Sequence, residues 1–228
     1  MVFTQSQMLN LLFSCRNLRR SEEIADMILL RYYPQEAAAC RLHARDMAET
    51  IRSSARAEDF LNSLNGLKTE LMYQSFVHGQ THAERVAVYS AWLGLEMQLS
   101  RQEFLLCLEA AKYNDIGREN ESEDREHGPR SAGMIGSACP ELSEEERRLL
   151  QAVIAVHSLP DRERQQTFDC CLGARQSLYA PAGRLADILK DADALDRFRL
   201  NNNSLATAFL RCPPSRRLIR AACETVNL

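Results

Sequence analysis

The chain has 228 residues, of which 45% are hydrophobic and 26% are charged, and its net charge is −3. That length fits one domain of generous size, and the composition is ordinary for a soluble globular protein. The small net charge provides no electrostatic basis for binding nucleic acid or a membrane surface, so we expect neither partner. Nine glycines and seven prolines supply few turns for a sheet-rich fold.

Three features predict a cytoplasmic protein. The chain contains no run of 18 or more apolar residues that would predict a transmembrane helix. Residues 1–15 lack the basic start, apolar block and cleavage site of a secretory signal. The eight cysteines are scattered and include no C-x-x-C pair, so we expect buried, reduced thiols.

The first 75 residues are predicted to form an N-terminal helical subregion. Helical periodicity covers residues 5–13, 21–33, about 37–51 and 57–72. Ser21 is a suitable cap for the second helix, and Pro34 marks the break before the third. The sequence leaves the role of this subregion open.

Residues 76–200 contain four further predicted helices, and each places a histidine or an aspartate in line with its apolar face. Apolar residues recur after His82 at intervals of three or four, as in an amphipathic helix. The next helix, which begins after residue 100, carries an apolar stripe that ends at Asp115. The helices that begin after residues 143 and 181 lead in the same way to His157 and Asp193.

This recurrence predicts a shared binding site. An ionisable side chain that faces a core must be paired or must bind a metal, because burying an unpartnered polar group costs about 2–7 kcal/mol. Four such residues on four helices favour a common ligand set inside a helical bundle. We therefore predict an all-α fold with a metal-binding core over 76–200 and a C-terminal helical extension, 201–228, packed on that core.

Four segments resemble, in their order and spacing, the HD superfamily of metal-dependent phosphohydrolases. The resemblance covers roughly residues 76–200 and implies an HD-type helical bundle with extra N-terminal helices. The segments are residues 78–86 (HGQTHAERV), 113–118 (YNDIGR), 127–132 (HGPRSA) and 190–196 (KDADALD).

The resemblance implies a set of metal ligands. His82 matches the first ligand of the family, Asp115 the aspartate of its His-Asp dyad, and Asp193 its last aspartate ligand. His127 and His157 match the additional histidines that hold a second metal or contact the substrate phosphate in members with two metals. Asp191 and Asp196 flank Asp193 in the last segment. We interpret both as structural residues.

One position departs from the family, because the dyad histidine is Asn114 here. An amide oxygen is a neutral and weaker ligand than imidazole. Three outcomes stay open: Asn114 binds through its oxygen and shifts selectivity toward Mg²⁺ or Mn²⁺, His78 substitutes for it from one helical turn before His82, or the site is catalytically dead.

The resemblance implies hydrolysis of a phosphomonoester or phosphodiester, with a nucleotide or a small phosphorylated metabolite as substrate. The expected cofactor is a divalent ion (Mn, Mg, Fe, Co, Ni or Zn), one or two per chain. We expect Asp115, Arg118 and Arg130 to act in catalysis, the arginines by neutralising phosphoester charge. The alternatives are a degenerate HD domain that binds a nucleotide or a partner, and a di-iron oxygenase on the same scaffold. The sequence does not specify the oligomeric state.

Overall fold

A computed structural model describes residues 18–75 and 77–227 of the chain, so the helix predicted over residues 5–13 lies outside the described residues. The described residues form eleven α-helices with short 3-10 turns and no strand. The all-α prediction is therefore confirmed. Within this described part, no helix has both the length and the apolar character needed to cross a membrane.

The N-terminal helices differ from the predicted ranges: the helix predicted over residues 21–33 begins earlier, at Leu18, and the helix predicted over 57–72 ends earlier, at Asn65. The single helix predicted from about residue 37 to residue 51 is wrong, because the chain breaks into two helices there. The break has a tertiary cause: the Glu224 carboxylate, far away in the sequence, accepts the Ala44 N–H at 2.7 Å and so starts a new helix. The four helices of this region are α1 (Leu18–Tyr32), α2 (Pro34–Ala37), α3 (Ala44–Ser53) and α4 (Ala57–Asn65).

Two of the predicted central helices begin where the sequence indicates. Ser100 and Ser143 each form a capping box with the glutamate three residues later, which satisfies the first free N–H groups of the helix. The remaining helices are α5 (Gln80–Glu96), α6 (Arg101–Tyr113), α7 (His127–Ala138), α8 (Glu144–His157), α9 (Arg164–Leu172), α10 (Tyr179–Leu195) and α11 (Ile219–Val226).

Helix α5 lies at the centre of the fold. Every residue from His82 to Gly94 is buried, and α5 packs against α6, α10, α3 and α4. Its polar residues are therefore in the interior, where they need partners. The C-terminal helix α11 packs against α1 and α3 and against the 3-10 turn Asp196–Arg199 that follows α10.

The helix ends bring the predicted ligands together. His82 lies in the first turn of α5 and His127 begins α7, whereas His157 ends α8. Asp115 follows the end of α6, and Asp193 lies in the last turn of α10. These five ends surround one cavity at the same end of the bundle, beside the polar loop that joins α6 to α7.

Candidate metal centre

The cavity at this end of the bundle has a volume of about 510 Å³. Asp115 lies at its centre, 93% buried, and its two carboxylate oxygens face two different sets of histidines. We name the set of His78, His82, Asp115 and Asp193 the first cluster. We name the set of Asp115, His127 and His157 the second cluster.

In the first cluster, His82 Nε2 lies 3.4 Å from Asp115 Oδ2 and 3.5 Å from Asp193 Oδ1. This nitrogen is fully buried and makes no hydrogen bond to any described residue. A buried polar atom without a partner is costly, unless a ligand occupies the space in front of it.

The protonation of His82 is determined by Asp196. The carboxylate of Asp196 receives two hydrogen bonds from the Arg85 guanidinium, one of them 3.0 Å long, and a third from His82 Nδ1–H at 2.8 Å. Because the proton of the neutral ring is then on Nδ1, the lone pair of Nε2 points at two carboxylates. A proton on Nε2 or a metal ion in front of it would balance the charge of these carboxylates.

The pKa shifts of His82 and Asp115 also favour positive charge around the carboxylates. Burial and the charge of Arg199 act to lower the pKa of His82, but the carboxylates of Asp115 and Asp196 outweigh them and raise it above its ordinary value. Burial acts to raise the pKa of Asp115, yet the four histidines around its carboxylate hold it well below the usual range. The centre therefore favours an ionised carboxylate surrounded by cations.

The histidines of the second cluster are also oriented by hydrogen bonds from Nδ1. Nδ1–H of His127 donates to the backbone oxygen of Asp124, and Nδ1–H of His157 donates to that of Ile154 at 2.7 Å. Both Nε2 atoms then carry lone pairs when the rings are neutral, and they lie only 2.8 Å apart. Asp115 Oδ1 is 3.1 Å from one and 3.6 Å from the other.

These donors fit one or two divalent metal ions. Each cluster offers atoms of two histidines and one carboxylate that all lie within 4.8 Å of one another. Imidazole and carboxylate ligands suit Zn²⁺, Fe²⁺, Co²⁺, Ni²⁺ and Mn²⁺. Hydrogen bonds that orient the far nitrogen of each ring are the usual support of metal-binding histidines.

Asn114 is the predicted ligand that makes no side-chain hydrogen bond to either cluster. Its side chain is fully buried, and its amide nitrogen and oxygen have no hydrogen-bond partner among the described residues. His78, considered above only as a substitute, lies inside the first cluster with Nδ1 3.1 Å from Asp115 Oδ2.

The two arginines predicted to contact phosphate lie in different places. Arg118 lines the cavity, where its Nε donates to Asp115 Oδ2 at 3.1 Å. Arg130 lies in the first turn of α7 and is directed at the α6–α7 loop, where its guanidinium binds the Gly117 backbone oxygen at 2.9 Å and the Asp124 carboxylate. It is not among the residues that line the cavity.

Sequence reasoning missed three other arginines of the cavity. Arg125, Arg197 and Arg199 line it together with Arg118. The side chain of Arg199 is 8% exposed, and its Nε donates to the Val77 backbone oxygen at 2.8 Å. Nothing local marks these residues, because arginines are frequent throughout the sequence.

The interpretation of the two flanking aspartates is half right. Asp191 is structural: its carboxylate accepts the backbone N–H groups of Arg211 and Cys212 and the Ser215 hydroxyl. Asp196 instead serves the candidate centre, since it orients the His82 ring. Its position three residues after Asp193, on nearly the same helical face, was the available indication.

No protein-family model, no curated protein and no solved structure matches this chain.

Proposed function

We propose that the chain is an HD-type metal-dependent phosphohydrolase that cleaves a phosphomonoester or phosphodiester of a nucleotide or a small phosphorylated metabolite. The observation that carries the proposal is the Asp115 carboxylate, which presents one oxygen to each of two histidine clusters whose free nitrogens have lone pairs. The four segments that resemble the HD superfamily supply every side chain of the two clusters except His157, which lies between the third and the fourth segment.

The charge of the cavity supports a metal-dependent role over metal-free binding. Five acidic and four arginine side chains line it, so a phosphate anion gains no net attraction from the protein alone. Bound divalent ions reverse that balance. The residues are Asp115, Glu121, Glu123, Asp124, Asp193, Arg118, Arg125, Arg197 and Arg199.

The protein side chains have separate tasks in this proposal. Ligands from both clusters hold the metal, and Asp196 keeps His82 in the tautomer that can bind it. A divalent ion, when bound, lowers the pKa of water and polarises a phosphoryl oxygen. Arg118 and Arg199 border the cavity and are placed to share the charge of the phosphoryl group.

The size of the cavity agrees with a small substrate. Its volume of about 510 Å³ falls within the range of roughly 300–1,000 Å³ that is typical of small-molecule sites. A cytoplasmic location belongs to the same proposal.

Asn114 favours a second candidate, a degenerate HD domain that binds a nucleotide or a partner without turnover. A neutral amide at the dyad position weakens the ligand set. Metal analysis and activity separate the two candidates, and stoichiometric iron with oxygen consumption would favour the oxygenase instead.

The test combines elemental analysis of the purified protein with a screen of nucleotides and phosphorylated metabolites under Mn²⁺, Mg²⁺, Co²⁺, Ni²⁺, Fe²⁺ and Zn²⁺. We expect one or two bound ions and cation-dependent phosphate release, which Asp115→Asn abolishes. Asp46→Asn is the control, because it removes an exposed carboxylate on α3. If the protein binds no metal and releases no phosphate under any of these cations, the proposed enzymatic function is refuted.

A further inference from the structure

We infer that His78 supplies the first cluster with the imidazole nitrogen that position 114 lacks, so that the first metal is held by His78, His82, Asp115 and Asp193. The inference rests on the metal site of the proposed function and changes its ligand set.

The position of His78 fits this role. Its side chain is buried, and its Nδ1 lies 3.1 Å from the same Asp115 oxygen that faces His82 Nε2. Ligand atoms of these three residues all lie within 4.8 Å of one another. Atoms bound to one ion at about 2.1 Å lie up to about 4.2 Å apart, so a small adjustment completes the site.

Nδ1 of His78 is the ring nitrogen that faces the first cluster. It lies 3.1 Å from Asp115 Oδ2, which can only accept a hydrogen bond, and 3.2 Å from Arg199 Nη2, which can only donate one. These two neighbours favour opposite tautomers of the ring. The tautomer with its proton on Nε2, which faces Glu121 Oε2 at 3.8 Å, leaves Nδ1 free to bind a metal.

The backbone holds His78 in place before α5 begins. Ser75 Oγ accepts the N–H groups of Val77 and His78, both at 2.9 Å. Gly79 is required in this tight loop, because a Cβ there would lie 2.2 Å from the Ser75 backbone oxygen. A ligand on a constrained loop keeps its orientation in the absence of the ion.

Asn114 is the weaker candidate for the same role. Its side chain is shorter than imidazole, and its amide oxygen is a neutral donor that borderline metals bind less strongly. Unlike the histidines of both clusters, it has no hydrogen bond among the described residues that fixes its orientation.

The experiment titrates the metal-free full-length chain with Co²⁺ and records the visible absorption spectrum, the stoichiometry and the affinity. The variants are His78→Ala, His78→Gln, Asn114→Ala and the double variant His78→Ala with Asn114→His. Asp46→Asn is the control, because Asp46 is exposed on α3 and does not line the cavity. Circular dichroism verifies that each variant is folded.

We expect both His78 variants to lose at least ~10–100-fold in affinity for the first ion and to change the Co²⁺ spectrum. Asn114→Ala and Asp46→Asn should change the affinity by less than about threefold, and the double variant should regain part of the lost affinity. His78→Gln, which preserves the size and polarity of the side chain, keeps the test valid if His78→Ala does not fold.

A loss of the first ion in Asn114→Ala, with retention in the His78 variants, would overturn the inference. If the ion depends on His78 but no phosphoester is hydrolysed, the inference stands and the proposed function fails. If the enzyme is active and His78 is dispensable for metal binding, the function stands and the inference fails. If the wild-type chain binds no divalent ion, both fail.

Discussion

His127 Nε2 and His157 Nε2 lie 2.8 Å apart while both rings donate their Nδ1–H groups to backbone carbonyls. With the ring protons on Nδ1, two lone pairs face each other, so this contact is a hydrogen bond only if one Nε2 also carries a proton. In the proposed function, a metal ion at this point would accept both lone pairs.

The first prediction concerns metal removal. A divalent ion at about 100 times its dissociation constant stabilises the folded state by about 2.7 kcal/mol, which corresponds to roughly 5–10 °C in Tm for a chain of this size. Differential scanning calorimetry with and without EDTA measures the shift. His127→Ala should reduce it, and a Tm that no divalent cation raises would contradict the site.

The second prediction concerns Asp196, which orients His82 without facing the metal. Asp196→Asn should lower the affinity for the first ion by ~10–100-fold, because the His82 ring loses its charged partner. The second cluster should keep its ion, since none of its residues contacts Asp196. Two-site metal titration resolves the two affinities.

The same variant should also destabilise the fold. Arg85 is buried against Asp196, and an unpaired buried guanidinium costs about 3–5 kcal/mol. Asp187→Asn is the matched control on α10, because Asp187 is partly exposed and pairs with Arg164. Equal metal affinities in wild type, Asp196→Asn and this control would show that Asp196 is only structural.

The third prediction tests whether Asp191 on α10 stabilises the fold without binding the metal. Asp191→Ala leaves the buried N–H groups of Arg211 and Cys212 without their acceptor, and each such loss costs about 1–3 kcal/mol. Urea denaturation should therefore show a loss of roughly 2–6 kcal/mol. Metal stoichiometry should stay that of the wild type, and a selective loss of metal in a stable variant would assign Asp191 to the site.

Glu224 provides a pH-dependent element outside the candidate centre. Its carboxylate accepts the Ala44 N–H, faces His43 Nδ1 at 2.8 Å and lies 3.7 Å from Arg220 Nη1; Glu22 faces the same histidine at 3.8 Å. Burial raises the pKa of Glu224 above its ordinary value of 4.5, against the opposing effects of Ala44, His43 and Arg220.

The fourth prediction follows from the sign of that shift. Between the unfolded and the raised folded pKa, the folded chain binds more protons, so the contribution of Glu224 to stability falls as pH rises. Glu224→Gln removes this contribution. The free energy of unfolding of the variant relative to wild type should therefore rise as the pH increases from the ordinary pKa of 4.5 through the raised pKa of the folded state. A difference that is constant or falls over that range would refute the prediction.

Local sequence determined the helices and the residues at their ends. Ser100 and Ser143 start α6 and α8 because a serine followed three residues later by a glutamate satisfies free N–H groups without any distant partner. Helical periodicity placed His82, Asp115 and His157 in line with apolar faces, and packing such faces together brings their polar ends to one place.

Tertiary structure decided the contacts between distant residues. The break before α3 depends on Glu224, and the orientation of His82 depends on Asp196, 114 positions away. Likewise, only the folded chain shows that Arg130 binds the α6–α7 loop while Arg199 reaches His78. Periodicity reports which face of a helix is apolar, but a hydrogen bond between side chains depends on distances that only the packed helices determine.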